Sequence, residues 1–285
     1  MVYIPDVIPK MMDRRYLKDL IEWKDDPYRK PLIVWGARQV GKTYLVKDIF
    51  AERFFSGKYV YIDFKRDVDF RDYCDGHPDP KDVLNYLSLK NEGLRFGKDT
   101  LIIFDEVQEC PAAITLMKYF CQDYREIPVI ETGSMVRMRL KRRRGGSGQN
   151  GFMFPVGKIN EITVSPMTFD EYLFNRNRAL YDTVVDSYSR KTPMDTAFHE
   201  MAMGIFYEYM LIGGMPEAVD VFLREEDMQK ALRKVREIYN NYLGDMDLYQ
   251  ASPESIVRSR QLFRTIYTQL NKTSKNFKPT LTERG

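Results

Sequence analysis

One pattern constrains this chain more than any other: Gly36-Ala37-Arg38-Gln39-Val40-Gly41-Lys42-Thr43, placed directly after the apolar run 32–35. The run reads as a buried strand, and the G-x-x-x-x-G-K-T that ends it is a phosphate-binding loop pattern. Its glycines let the backbone wrap round phosphate, where a row of N–H groups and the next helix N-terminus present positive potential. Leu45, Val46, Ile49 and Phe50 follow at helical spacing, so the loop lies between a strand and a helix, the context its chemistry needs. Chance supplies the four fixed positions in about one such chain in a hundred. The expected nucleotide contacts run from Gly36 through Tyr44. Lys42 is assigned to the β/γ-phosphates of ATP as a catalytic cation, and the Thr43 hydroxyl to Mg²⁺.

A second feature gives that loop a partner. Thr100-Leu-Ile-Ile-Phe-Asp105-Glu106 is an apolar strand that ends in an acidic pair, 62 residues beyond Thr43 with one strand and one helix between. Phosphoryl chemistry on Mg·ATP requires that pair: Asp105 to hold Mg²⁺, and Glu106 to orient and deprotonate the attacking water. A third strand, 127–132, ends in Gly133-Ser134, and a hydroxyl at that strand tip reads as a catalytic sensor of the γ-phosphate. Ser134 has a plain alternative as a turn serine.

Other chemistries lack material. The chain has two histidines, His77 and His199, and three cysteines, Cys74, Cys110 and Cys121, with no C-x-x-C. A histidine metal centre, a Ser-His-Asp triad and a disulfide framework are therefore not expected. No 18-residue apolar segment occurs and residues 1–10 carry no signal-peptide core, which points to a soluble, cytoplasmic protein without a membrane partner. Net charge is +3, but 137–144 alone holds six basic residues, so the remainder is net acidic. Three readings of the Arg137–Arg144 run stand open. It is a solvated loop, a phosphate-backbone contact with nucleic acid, or the source of an arginine finger, Arg137, Arg139 or a later residue, acting on the ATP of a neighbouring subunit in a homo-oligomer.

In chain order, Met12, Tyr16, Leu20 and Trp23 predict a lead-in helix over 11–24, with Arg14 and Arg15 on a solvated face. Residues 59–64 alternate like a strand, 65–80 reads as a polar loop, and Pro80 opens a helix with Val83, Leu84 and Leu87 on one side. Pro111 begins another with Ile114, Met117, Phe120 and Tyr124 inward. Residues 152–164 resume strand character, and Thr168 with Glu171 forms a capping box. Five strands alternating with helices predict an α/β three-layer sandwich around a mostly parallel sheet, the P-loop NTPase architecture. Beyond it the texture is helical only. Phe198, Met201, Ala202, Ile205, Tyr209 and Ile212 form a stripe that stops at Gly213-Gly214-Met-Pro216, and Ser252-Pro253 caps a last helix. The expected division is a lead-in helix at 1–30, an ATPase core at 31–175, a helical domain at 176–250, and the start of a winged-helix-like segment at 251–285.

Several of these segments together, 36–43, Phe-Asp-Glu-Val-Gln-Glu-Cys (104–110), Thr-Gly-Ser (132–134), Phe-Pro-Val-Gly-Lys (154–158), Pro-Met-Thr-Phe-Asp-Glu-Tyr-Leu (166–173) and Gly-Gly-Met-Pro-Glu-Ala-Val (213–219), resemble the prokaryotic AAA-type ATPases that carry a C-terminal domain of unknown function. The resemblance implies ATP and Mg²⁺ as cofactors and Mg-dependent ATP hydrolysis coupled to conformational change. It maps nucleotide contacts onto Gly36, Gly41, Lys42 and Thr43, metal and base roles onto Asp105 and Glu106, and the sensor onto Ser134. It also implies that residues 266–285 open a winged-helix segment that is cut short and that the terminal domain is missing. Lys158 stands where related proteins carry an arginine. The alternatives are an ATP-gated, nucleic-acid-associated switch working through 137–144 or the winged-helix segment, and a small-molecule kinase. A guanine reader is not expected, because Asn271-Lys-Thr-Ser274 lacks its aspartate.

Overall fold

The computed structural model describes residues 12–76, 79–92, 94–134, 155–248 and 252–272. The chain separates into two compact units, Met1–Asp227 and Met228–Gly285. The first is built on β1 (Leu32–Gly36), β2 (Tyr59–Asp63), β3 (Leu101–Asp105), β4 (Val129–Gly133) and β5 (Asn160–Val164). All five pair in parallel in the order β2-β3-β4-β1-β5. Consecutive side chains of a strand point to opposite faces, and along β1, β3 and β4 both faces are dry. Ile33, Trp35, Ile102 and Phe104 enter one apolar cluster, while Leu32, Val34, Leu101 and Ile103 enter the other.

The first cluster is closed by α3 (Val68–Gly76), α4 (Pro80–Lys90) and α5 (Pro111–Asp123), through Phe70, Val83, Leu87, Ile114 and Met117. The second is closed by α1 (Tyr16–Asp25) and α2, a π-helical run Tyr44–Ala51 that passes into an α-helical turn Glu52–Phe55. Leu20, Trp23, Leu45, Val46 and Phe50 seal that side. The three-layer sandwich and the five-stranded sheet expected from the sequence are both present.

The layout corrects several local expectations. Residues 65–80 are not a loop throughout, since α3 lies within them. Phe70 and Cys74, four apart and fully buried, supply its inward face, and the charged residues around them conceal that pair. Among the described residues β5 is short and begins at Asn160. Arg14 precedes α1 instead of lying on a wetted face of it, and is 3% exposed. The basic run 137–144, on which the nucleic-acid and finger expectations rest, and the last part, 273–285, of the segment expected at 251–285 to begin a winged helix lie outside the described residues.

After the sheet come α6 (Phe169–Arg176), α7 (Arg178–Arg190), α8 (Thr196–Ile212) and α9 (Pro216–Glu225). The capping box predicted at Thr168 and Glu171 is formed at the start of α6. Met167 N donates to Gly214 O at 2.6 Å and Tyr209 Oη donates to Met167 O at 2.9 Å, which ties the end of α8 to the chain leaving β5. The second unit contains α10 (Met228–Leu248) and α11 (Pro253–Leu270), whose Tyr239 and Phe263 rings lie 5.4 Å apart.

One core residue runs against the pattern. Glu131, in the middle of β4, is fully buried, and neither of its carboxylate oxygens has a hydrogen-bond partner. Burial, reinforced by the Cys110 thiol, holds its carboxyl well above the usual value of 4.5, so the folded chain keeps that proton. Below about 4.5 both folded and unfolded chains are protonated. Above it only the unfolded chain releases the proton, and stability falls with rising pH at up to about 1.4 kcal/mol per unit, until the folded carboxyl itself ionises. Glu131→Gln should lack that slope. In urea denaturation from pH 5 to 8 the stability gap between variant and parent should widen with pH; a pH-independent gap would show Glu131 to be ionised in the fold.

Candidate nucleotide-binding site

The loop after β1 sits where a parallel sheet of this order leaves a crevice. The chain departs from inner strand β1 to edge strand β2, while β4 and β5 flank β1, and ligands of open α/β sheets bind at the carboxyl ends of such strands. The local backbone is what the glycines permit. Gly41 has φ +84°, a conformation that side chains with a Cβ disfavour, and a Cβ on Gly36 would lie 2.6 Å from Val164 O on β5. Gln39 takes the left-handed region without being glycine (φ 62°), and its Oε1 is buried without a partner. Lys42 curls back over the loop, donating to Ala37 O at 2.8 Å and Gly36 O at 3.2 Å. Its ammonium therefore stands within the turn, where a phosphate would sit.

The two sequence features meet at Asp105. Thr43 Oγ1 donates to Asp105 Oδ2 at 2.7 Å, and Tyr61 Oη donates to the same oxygen at 2.7 Å. Oδ1 accepts from Glu106 N at 2.9 Å and from the Thr132 hydroxyl. Burial, followed by the charge and hydrogen bond of Asp105, pushes the Tyr61 phenol far up, so Tyr61 remains a donor at any physiological pH. The carboxylate thus gathers donors from the loop, β2, β4 and its own backbone.

This donor set suits Mg²⁺. A carboxylate and a hydroxyl in mutual contact offer hard oxygen ligands, and Mg²⁺ characteristically takes one or two such protein groups and completes its shell with water and substrate phosphates. No cluster of three or more His, Cys, Asp or Glu side chains suited to a metal occurs among the described residues.

Glu106 follows in the left-handed region at φ 57°, its side chain accepting from Gln108 Nε2. Ser134, just past β4, donates its backbone N–H to Gln108 Oε1 at 3.1 Å. Tyr44 Oη accepts from Met12 N at 3.0 Å, and burial raises its pKa. Ala37 is exposed, Arg38 half-buried, and Val40 fully buried.

A model of the AAA domain family matches residues 28–173, just over half of the chain and the whole of the sheet. The chain belongs to that family. No curated protein matches the sequence. Among solved structures, the Walker-type ATPase of Pyrococcus abyssi is similar at TM-score 0.54 and 18% identity, over 98% of this chain and 90% of that one. AMPPCP-bound DnaA of Aquifex aeolicus aligns at TM-score 0.39 and 13% identity, over 90% and 76%. The first of these likenesses is one of fold. No helix among the described residues is long and apolar enough to cross a membrane.

Two residues that flank the AAA domain and reach its phosphate loop escaped the sequence reading. Arg14 Nη1 donates to Val40 O at 2.8 Å, Nη2 to Ser165 O at 2.7 Å, and Nε to Glu171 Oε1 at 2.9 Å. It fastens the phosphate loop to the end of β5 and to the first turn of α6. Pro216, at the head of α9, approaches the same glycine: a Cβ on Gly41 would lie 3.2 Å from Arg14 Nη1 and 3.5 Å from Pro216 Cγ. The sequence signalled Pro216 only as the residue beyond a helix stop. Arg14 carried no signal, because helical phase does not apply ahead of the first turn.

Removing Arg14 takes the buried counter-ion from Glu171, which keeps only the hydrogen bonds from Arg15 N and Thr168. Arg14→Ala should cost about 3–5 kcal/mol, the range for breaking one side of a buried ion pair, and should weaken nucleotide binding by freeing the Val40 carbonyl. Arg14→Lys should restore little, since one ammonium cannot reach three acceptors in a guanidinium's fixed fork. Chemical denaturation with and without nucleotide measures both effects; a wild-type midpoint in Arg14→Ala would refute the anchoring role.

Proposed function

We propose that the chain binds ATP with Mg²⁺ at the carboxyl edge of its sheet and hydrolyses it, turnover being coupled to conformational change. The single observation that carries the reading is the 2.7 Å contact between Thr43 Oγ1 and Asp105 Oδ2, which joins the phosphate loop to the acidic strand end across 62 residues. Membership of the AAA domain family supports it independently.

In this reading the loop N–H groups from Gly36 to Thr43 cradle the phosphates, and Lys42 exchanges its loop carbonyls for the β/γ-phosphate oxygens. Mg²⁺, when bound through Thr43 and Asp105, neutralises charge on the phosphate oxygens. Glu106 orients the attacking water and takes its proton, and Ser134 reports the γ-phosphate from the tip of β4. Arg14 touches the loop but spends its guanidinium on Val40, Ser165 and Glu171, so the finger is another arginine, supplied in cis or by a neighbouring copy.

Lys42→Ala should abolish ATP binding measured by titration of a fluorescent analogue. Glu106→Gln should keep binding and lose about 10²- to 10⁴-fold in turnover, the contribution of a positioned base; undiminished hydrolysis would remove Glu106 from that role. Chelation of Mg²⁺ should stop turnover. A rate per subunit that rises with protein concentration marks a finger supplied in trans, and a constant rate marks one supplied in cis.

A further inference from the structure

Gln108 lies in the short 3₁₀ turn Val107–Glu109 that follows the acidic pair, and it is fully buried. A carboxamide taken out of water must place both its ends on partners, and Gln108 does so across two strands. Its Nε2 donates to Glu106 Oε2, and its Oε1 accepts from Ser134 N at 3.1 Å. The orientation is dictated by those partners: the backbone N–H of Ser134 can only donate, so the amide oxygen faces it and the amide nitrogen faces Glu106. Glycine at the end of β4 makes room for it. A Cβ on Gly133 would lie 3.1 Å from Gln108 Oε1 and 2.9 Å from Val107 Cγ2.

Glu106 is also held by its backbone. Its N–H donates to Asp105 Oδ1 at 2.9 Å, and its φ of 57° is one that side chains with a Cβ seldom adopt. Such a conformation persists only when its surroundings over-determine it. Asp105 constrains the main chain and Gln108 the side chain.

We propose that Gln108 is a positioning residue of the ATPase site, a two-ended latch that sets the orientation of the Glu106 carboxylate and couples it to the strand tip bearing Ser134. The inference rests on the ATPase reading and deepens it. A contact that shifts Ser134, such as one with the γ-phosphate, moves the acceptor end of the amide, and its donor end carries that shift to Glu106. ATP itself is held elsewhere, since neither end of Gln108 bonds to the loop.

The test is a split between binding and turnover in the full chain, with ATP and Mg²⁺. Gln108→Met, close to the native side chain in volume and without either hydrogen bond, should leave the affinity for a fluorescent ATP analogue within about 2-fold and lower kcat by about 10- to 100-fold, the range for outer partners that orient a working group. Because Gln108 acts through Glu106, adding Gln108→Met to Glu106→Gln should lower single-turnover rates no further. Gln108→Asn keeps the amide but is one methylene too short to span both partners. It should show the same loss of kcat, and it serves where Gln108→Met does not fold. Wild-type kcat in these variants, or losses that multiply in the double variant, would overturn the latch while leaving the ATPase reading intact. A wild-type chain without ATPase activity, or a Glu106→Gln variant with full turnover, would instead overturn the reading beneath it.

Discussion

The carboxylate of Asp105 is the reference point for everything that faces the nucleotide site. A buried carboxylate is costly unless its lone pairs are filled, and here Thr43, Tyr61, Thr132 and the Glu106 amide fill them. The parallel register makes that possible. Asp63 pairs with Asp105 and Phe104 with Glu131, so the carboxyl ends of β2, β3 and β4 come level and a single side chain on the middle strand reaches its neighbours on both sides. The phosphate loop is joined to the same carboxylate by Thr43. Loop position and strand alignment are consequently one constraint, and a change that shifts β3 along its axis would also move the loop's hydroxyl.

Arg14 supplies the second anchor, from outside the sheet. Its three acceptors lie on the loop, just past β5 and in α6, and Pro216 of α9 approaches the same glycine. The segment before the sheet and the helices after it therefore converge on one turn of backbone. Between these anchors α2 runs as a π-helix over Tyr44–Ala51, a geometry that in proteins concentrates at functional sites. That helix starts one residue beyond Thr43, with Tyr44 turned to the backbone of Met12.

What could be read from the sequence is what repeats locally. The glycine–lysine loop, the two apolar runs, the proline-opened helices and the Thr168–Glu171 box each declare themselves within about ten residues, and all are present in the fold. α3 was hidden because its inward face is only Phe70 and Cys74 among charged neighbours. Arg14 was hidden for a different reason: its partners stand 26, 151 and 157 residues away, and no local pattern records such a meeting. Gln108 stood in plain view within the motif at 104–110, yet its role depends on Ser134, 26 positions later. Elements are legible from period and punctuation, whereas a site is made by contacts between elements.

Some of the departures from ordinary packing lie at that site. Glu106 and Gln39 occupy left-handed backbone without being glycine, Gln39 Oε1 is buried without a partner, and so are both carboxylate oxygens of Glu131. Each lies in the phosphate loop or within one residue of Asp105 or of the Thr132 that bonds to it. A chain shaped by stability alone would replace such features, since stabilising substitutions are common and proteins are seldom at their optimum. Strain that persists clusters where geometry is required for function. Elsewhere the left-handed residues Ser56, Lys191 and Glu226 each cap the C-terminus of a helix, an ordinary place for that conformation. Gln39 and Glu106 end no helix, so the backbone strain just past the carboxyl ends of β1 and β3 is a physical argument for the same crevice that uses no likeness to other proteins.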